Sequence, residues 1–147
     1  MTAVMTTKSI LYPMLAMVVL TVIVAVVLFR RRVSEMRSRR IHPQKVATSA
    51  QMAAEIEDSR AADNFRNLFE TPVLFYAAQI VIYATQLTSL AYVTLAWVYV
   101  AARVVHSAIH CTYNRVMHRL LAFAASVFLM WMLWGLLAFD FLVRGRG

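Results

Sequence analysis

Glycine and proline are scarce in this 147-residue chain, three of each, and cysteine occurs once, as Cys111. One cysteine excludes an intrachain disulfide and a cysteine-rich metal site. Acidic residues are few, seven against 15 lysines and arginines, for a formal net charge of +8. Charge of either sign is missing altogether from three stretches: the 20 residues from Ile10 to Phe29, the 32 from Thr71 to Ala102 and the 20 from Leu120 to Phe139. No internal repeat and no low-complexity tract is present, so repeat arrays are excluded as well.

What the chain has is apolar length. It is 61% hydrophobic, and a soluble domain of that size needs far more polar surface. A spanning helix takes about 20 apolar residues at about 1.5 Å each, so the outer two runs make one crossing apiece. The middle run is too long for one crossing and breaks at the polar patch Gln86-Leu87-Thr88-Ser89. The pattern predicts an all-α, integral membrane four-helix bundle, a single domain over residues 1–147, with helices at about 9–32, 48–87, 90–112 and 117–142. The first run reads as a retained signal-anchor. Only Lys8 precedes it, Arg30-Arg31-Arg32 follows it, and no small-residue cleavage pattern is present.

Residues Val46 to Arg66 are alanine-rich, lack glycine and proline, and open with Thr48-x-x-Gln51, a capping-box pattern. They are expected to be helical, a cytoplasmic extension of the second membrane helix. Pro72, within that helix, removes a backbone donor and predicts a kink. The loop after the first helix holds Arg30, Arg31, Arg32, Arg37, Arg39, Arg40 and Lys45 against Glu35 alone; the loop after the third holds Arg115 and Arg119. The turn between the second and third helices holds no basic residue, and the termini hold Lys8, Arg144 and Arg146. The positive-inside bias then places both loops in the cytoplasm and both termini on the extracytoplasmic side. The pI of about 10.4 does not imply a nucleic-acid partner. The basic run adjoins a membrane helix and lacks interleaved aromatics, so anionic lipid headgroups account for it.

The chemistry-bearing residues are polar ones on apolar helices. Asn67 and Glu70 are three apart and share a face; Arg103, His106 and His110 share another. An ionisable group inside a span costs about 2.5–3.5 kcal/mol, so such groups are paired or line a cavity. Counting back from the turn at Thr88 and Ser89 brings Glu70 level with residues 106–107 and within an arginine's reach of Arg103. Glu70 is therefore expected to pair with Arg103, with His106 as its alternative. One reading makes this a buried register pair. The other makes it part of a cytoplasm-facing pocket for an anionic ligand, with Arg66, Asn67, Arg103, His106, His110, Asn114, Arg115 and Arg119 around it. A metal on His106 and His110 would need His118 or Glu70 as a third ligand, and no metal is expected. Phe128, Trp131 and Trp134 on the last helix read as packing and interface aromatics.

Two stretches resemble the MAPEG family, the membrane-associated proteins in eicosanoid and glutathione metabolism. Asn67-Leu-Phe-Glu70-Thr-Pro72 is similar to that family's N-x-x-E followed by proline. Ala102-Arg103-Val-Val-His106-Ser-Ala-Ile-His110, with Asn114-Arg115 after it, is similar to its A-R-x-x-H/Y-x-x-x-Y run and following N-R. The resemblance covers nearly the whole chain. It implies a homotrimer holding glutathione between neighbouring subunits at the cytoplasmic side. Asn67 and Glu70 would contact glutathione, Arg103 would belong to the polar core paired with them, and Arg115 would activate the thiol, with Arg119 one turn on as the alternative. Better-known members carry an arginine seven residues before the glutamate, where this chain has Asp63 flanked by Arg60 and Arg66. They carry a tyrosine where this chain has His110, and the distance from Arg103 to Arg115 is shorter here than in the microsomal transferases. These departures point to a bacterial-type branch, in the inner membrane. The expected activity is thiol conjugation or reduction of a lipophilic electrophile. The alternative is a non-catalytic oligomeric membrane protein that binds a lipid or a protein partner.

Overall fold

The computed structural model describes residues 7–144; Arg146, counted above among the terminal basic residues, lies outside them. Every regular element among the described residues is helical. A 3-10 turn over Thr7–Ile10 leads into α1 (Leu11–Ser38), and a second over Pro43–Val46 precedes α2 (Ser49–Glu55). Then come α3 (Arg60–Asn67), α4 (Pro72–Ala84), α5 (Leu90–Cys111) and α6 (Val116–Arg144). Among the described residues three helices are long and apolar enough to cross a membrane: Thr7–Ser38, Leu90–Cys111 and Val116–Val143. Their surfaces require one. α1 buries Pro13, Met17, Leu20 and Val24 on one side and exposes Val19, Val22, Ile23, Val26 and Phe29 on the other. A helix that is apolar all round is stable only where lipid or protein covers it.

The second expected helix, 48–87, is three helices, and each break has a local cause. α2 starts as its sequence predicts: the Thr48 hydroxyl accepts from Gln51 N–H, and the Gln51 side chain accepts from Thr48 N–H. It ends at Ile56, whose backbone is extended at φ −100°, ψ 118°. There carboxylates bind the peptide N–H groups that a continuing helix would use. Glu35 accepts from the N–H of Glu57 at 2.7 Å and of Asp58 at 3.4 Å, and Asp58 accepts from that of Arg60 at 3.2 Å. Side-chain oxygens of this kind compete directly with the helix ladder. The second break lies at 68–71. Pro72 has no N–H to give to the carbonyl of Leu68. The chain tightens into i→i−3 bonds, from Phe69 to Arg66 at 2.9 Å and from Glu70 to Asn67 at 3.3 Å, before α4 begins at Pro72.

With glycine scarce, the helix ends are turned by other residues. Arg40, Gln86 and Asn114 hold φ of 53°, 56° and 49°. Backbone bonds from Ile41 to Met36, Leu87 to Ile82 and Asn114 to Ile109 close the preceding helices, as in left-handed C-terminal caps. α5 packs along α6, and α1 packs against α3, α4 and α5. Phe75 of α4 stacks on Tyr99 of α5 with centroids 4.2 Å apart. Tyr92 donates to Asp140 at 2.9 Å and ties the open end of the α5–α6 hairpin.

The other end of the hairpin is tied to α1 and α3. Asp58 holds Arg31 at 3.1 Å and Arg60 at 2.8 Å. Arg31 donates onward to the carbonyl of Cys111, and Arg60 to that of Thr112 at 2.5 Å. Two guanidiniums thus satisfy carbonyls that the end of α5 leaves open. Beneath them Asn64 donates to the Cys111 sulfur at 3.3 Å and accepts from the Ser107 hydroxyl at 3.3 Å. This fixes α3 against α5, and with it everything that α3 carries.

Candidate functional site

The proline break builds the site. In a 3-10 turn, residues three apart lie one above the other, so Asn67 and Glu70 face the same way, and the Asn67 amide donates to Glu70 Oε2 at 3.0 Å. Both face a groove of about 390 Å³ between the α3–α4 junction, the end of α5 and the start of α6. One wall is polar, made of Asp63, Arg66, Asn67, Glu70, His106, His110 and Arg119. The other is apolar, made of Val116, Leu120 and Phe123.

Arg103 lies fully buried at the base of the polar wall. The direct pair expected between Glu70 and Arg103 is not formed. Glu70 is exposed, and Asn67 stands between the two. Arg103 Nη2 donates to Asn67 Oδ1 at 2.7 Å and to its carbonyl at 3.4 Å. The reason is the tightened turn: it moves Glu70 outward and leaves the shorter amide as the inner acceptor. The guanidinium also lies 6.0 Å from the centre of the Phe123 ring, within cation–π range. Its Nε and Nη1 have no hydrogen-bond partner among the described residues. A buried charge with unused donors is costly, and Arg103 lies behind the groove's lining rather than in it.

The histidine tautomers follow from their neighbours. Arg119 can only donate, so His110 Nε2 accepts from it at 3.1 Å and His110 carries its proton on Nδ1. The Arg119 carbonyl can only accept, so His106 Nδ1 donates to it at 3.2 Å and keeps its lone pair on Nε2. His110 Nδ1 and His106 Nε2 are both buried and unpartnered among the described residues. Arg119 Nη1 also donates to Asn114 Oδ1 at 2.8 Å. No group of three metal-ligating side chains stands together among the described residues.

Of the residues singled out from sequence, Arg66, Asn67, Glu70, His106, His110 and Arg119 come together in the groove, with Arg103 at its base. Arg115 does not; it is exposed and outside the lining. Asp63 and the apolar wall of α6 were not foreseen as part of the site. Spacing gives Asp63 away, three before Arg66, to which it lies at 4.0 Å. For Phe123 the only signal is position, one helical turn past Arg119.

No protein of curated function matches the chain, and no solved structure does. The model of the MAPEG family matches residues 10–139. That stretch runs from the start of α1 to near the end of α6 and contains every residue of the groove. The chain is an integral membrane protein of the MAPEG family.

Proposed function

We propose that this protein is a membrane enzyme that uses glutathione or a similar thiol to conjugate or reduce a lipophilic electrophile. The observation that carries this reading is the two-faced groove: a wall of charged and hydrogen-bonding side chains opposite an apolar wall of α6. An anionic, hydrogen-bonding thiol peptide suits the first wall, and a lipophilic substrate suits the second. Arg66, Asn67, Glu70, His106 and His110 would hold the thiol compound, with Arg103 beneath them bonded to Asn67. Arg119 replaces Arg115 as the group that stabilises the thiolate. A nearby guanidinium lowers a thiol pKa from about 8.5, and each unit is worth about 1.4 kcal/mol. In conjugation the thiolate attacks the electrophilic carbon and forms the C–S bond as the leaving group departs with its bonding electron pair, or, at an activated double bond, as the π electrons move to the neighbouring carbon and take up a proton. In reduction of a hydroperoxide two thiols become a disulfide and the broken O–O bond gives an alcohol and water.

The assembly belongs to the same proposal. α4 has 13 residues, about 20 Å, short of the roughly 30 Å hydrocarbon core. With the 68–71 turn and the end of α3 it makes a fourth, broken crossing, of the kind tolerated where irregular backbone is buried in protein. The groove is open at the side of one chain, and a homotrimer would close it. Loops 38–49 and 112–115 would face the cytoplasm, in a bacterial inner membrane. Calorimetric titration of the detergent-solubilised protein with glutathione is the direct test. Saturable binding that weakens in Asn67→Ala supports the reading; no binding by a folded oligomer removes it. One observation favours the non-catalytic alternative, a lipid- or partner-binding oligomer: Arg119 already bonds His110 and Asn114. Glutathione binding without turnover of any electrophile would favour that alternative.

A further inference from the structure

Arg32, at the end of α1, is half-buried and lines a depression shared with α2 and α3; the other arginines there divide into two sets. Arg31 is held by Asp58, and Arg39 by Glu35 at 3.1 Å and Glu57 at 3.3 Å. Both are held by carboxylates and bind the end of α2 and the following linker to α1, Arg31 half-buried and Arg39 exposed. Arg30, Arg37 and Arg40 are exposed and form no ion pair among the described residues. Arg30 and Arg37 are seven apart, two helical turns, and therefore lie on one stripe of α1. Phe29, Val33 and Ser34 lie between and beside them and, with Ser38, line a shallow depression. A second depression continues it past Val33 and Arg37 to Arg40 and His42. Towards the membrane the stripe runs on as Val26, Ile23 and Val19, with Val22 and Phe29 on the adjoining side, all exposed.

A purely electrostatic topology signal needs no particular arrangement of its charges. This arrangement suits an anion that carries an acyl chain: an apolar track of about 15 Å, half the hydrocarbon core, ends in guanidiniums. We propose that the outer face of α1 is a binding site for an anionic phospholipid. Its acyl chain would lie along Val19 to Phe29, and its phosphate would lie between Arg30 and Arg37, with Arg40 at the rim. The two Cα atoms lie about 10 Å apart along the axis, so both side chains reach a phosphate placed between them. Guanidinium also suits phosphate better than ammonium, because its donors form a planar fork.

The test is native mass spectrometry of the full-length protein, titrated in mixed micelles with phosphatidylglycerol or with phosphatidylcholine. Two arginines near a membrane surface contribute about thirtyfold in affinity for anionic lipid. The expected result is retention of phosphatidylglycerol over phosphatidylcholine, a loss of about that size in Arg30→Gln/Arg37→Gln, and a smaller loss in Arg30→Lys/Arg37→Lys. Equal retention of the two lipids, or equal phosphatidylglycerol retention by wild type and the glutamine variant, would overturn the proposal. So would displacement of the lipid by inorganic phosphate alone, which would make this a free-phosphate site. Loss of oligomer in the glutamine variant would mean that a second copy covers the face, and would also overturn it. Should that variant not fold, wild type still decides: retention unchanged in about 0.5 M salt, where the screening length falls to a few ångströms, contradicts a phosphate held by exposed arginines.

Discussion

At the scale of single residues, the chain sets one amide where an ion pair was expected. Asn67 is the only hydrogen-bond acceptor that Arg103 has among the described residues. Asn67→Ala should therefore lower stability by about 1.5–3 kcal/mol, the usual worth of a hydrogen bond to a buried charge, while exposed Glu70→Gln should cost clearly less. In thermal unfolding in detergent, Asn67→Ala/Arg103→Met should lose less than the sum of the two single changes, since the double variant strands no guanidinium. Additive losses would mean that the bond carries no coupling. The two rim arginines should separate in the same way. If the groove performs thiol chemistry, Arg119→Ala lowers turnover and Arg115→Ala leaves it near wild type, both with the oligomer intact. The Arg119→Ala rate should recover in part above about pH 8.5, where a free thiol ionises without help. Equal activity in both variants would end the assignment of Arg119.

At the scale of elements, the Asp58 junction joins four pieces of chain, and its pH behaviour is predictable in sign. The Arg60 guanidinium bonded to Asp58, with Arg31 beside it, holds its carboxyl below the ordinary carboxylate range against the opposing effect of burial. A depressed folded-state value means that the stabilisation is complete above about pH 4, the unfolded value. It is lost as pH falls from there through the lower folded value. For a partly exposed junction the size is about 1 kcal/mol. Wild type should lose stability below about pH 4 in detergent, and Asp58→Asn should start lower and lose less over that range. Parallel acid profiles would contradict this. The same junction shows where the sequence is legible and where it is not. Runs without charge and the Thr48–Gln51 box place α5, α6 and the starts of α1 and α2 within a few residues, because each rests on local pattern; α1 runs six residues past its expected end at 32, to Ser38, because its arginines do not stop the helix. The break at 56–59 depends on Glu35, more than 20 residues away, which no local propensity reports. The break at Pro72 is visible in sequence, but a kink and a full 3-10 turn differ only in which carbonyls find new donors. That difference moved Glu70 outward and replaced the expected ion pair with Asn67. His106, His110 and Arg103 were legible together because α5 is unbroken and its 3.6-residue period holds.

At the scale of the whole molecule, the exposed apolar surface on α1 and α6 needs lipid or protein over it, and the open side of the groove is where the proposed trimer would close. The proposed homotrimer should persist in native mass spectrometry across mild detergents; monomer alone would remove a site shared between subunits. Topology has its own check. With cysteine placed by Ser38→Cys or by Ser89→Cys, a membrane-impermeant reagent applied from the extracytoplasmic side should label the second and spare the first; the reverse pattern inverts the orientation. If the groove performs thiol chemistry, the apolar wall of Val116, Leu120 and Phe123 has a kinetic consequence. All three side chains stand at the start of α6, and Val116 and Leu120 are exposed. A substrate reaching the groove along them arrives from the bilayer, where it is already concentrated by partition. Its effective concentration is then a mole fraction in lipid rather than an amount per litre of water. Diluting the membrane with inert lipid at fixed total substrate should raise the apparent KM for the electrophile and leave that for the water-borne thiol unchanged.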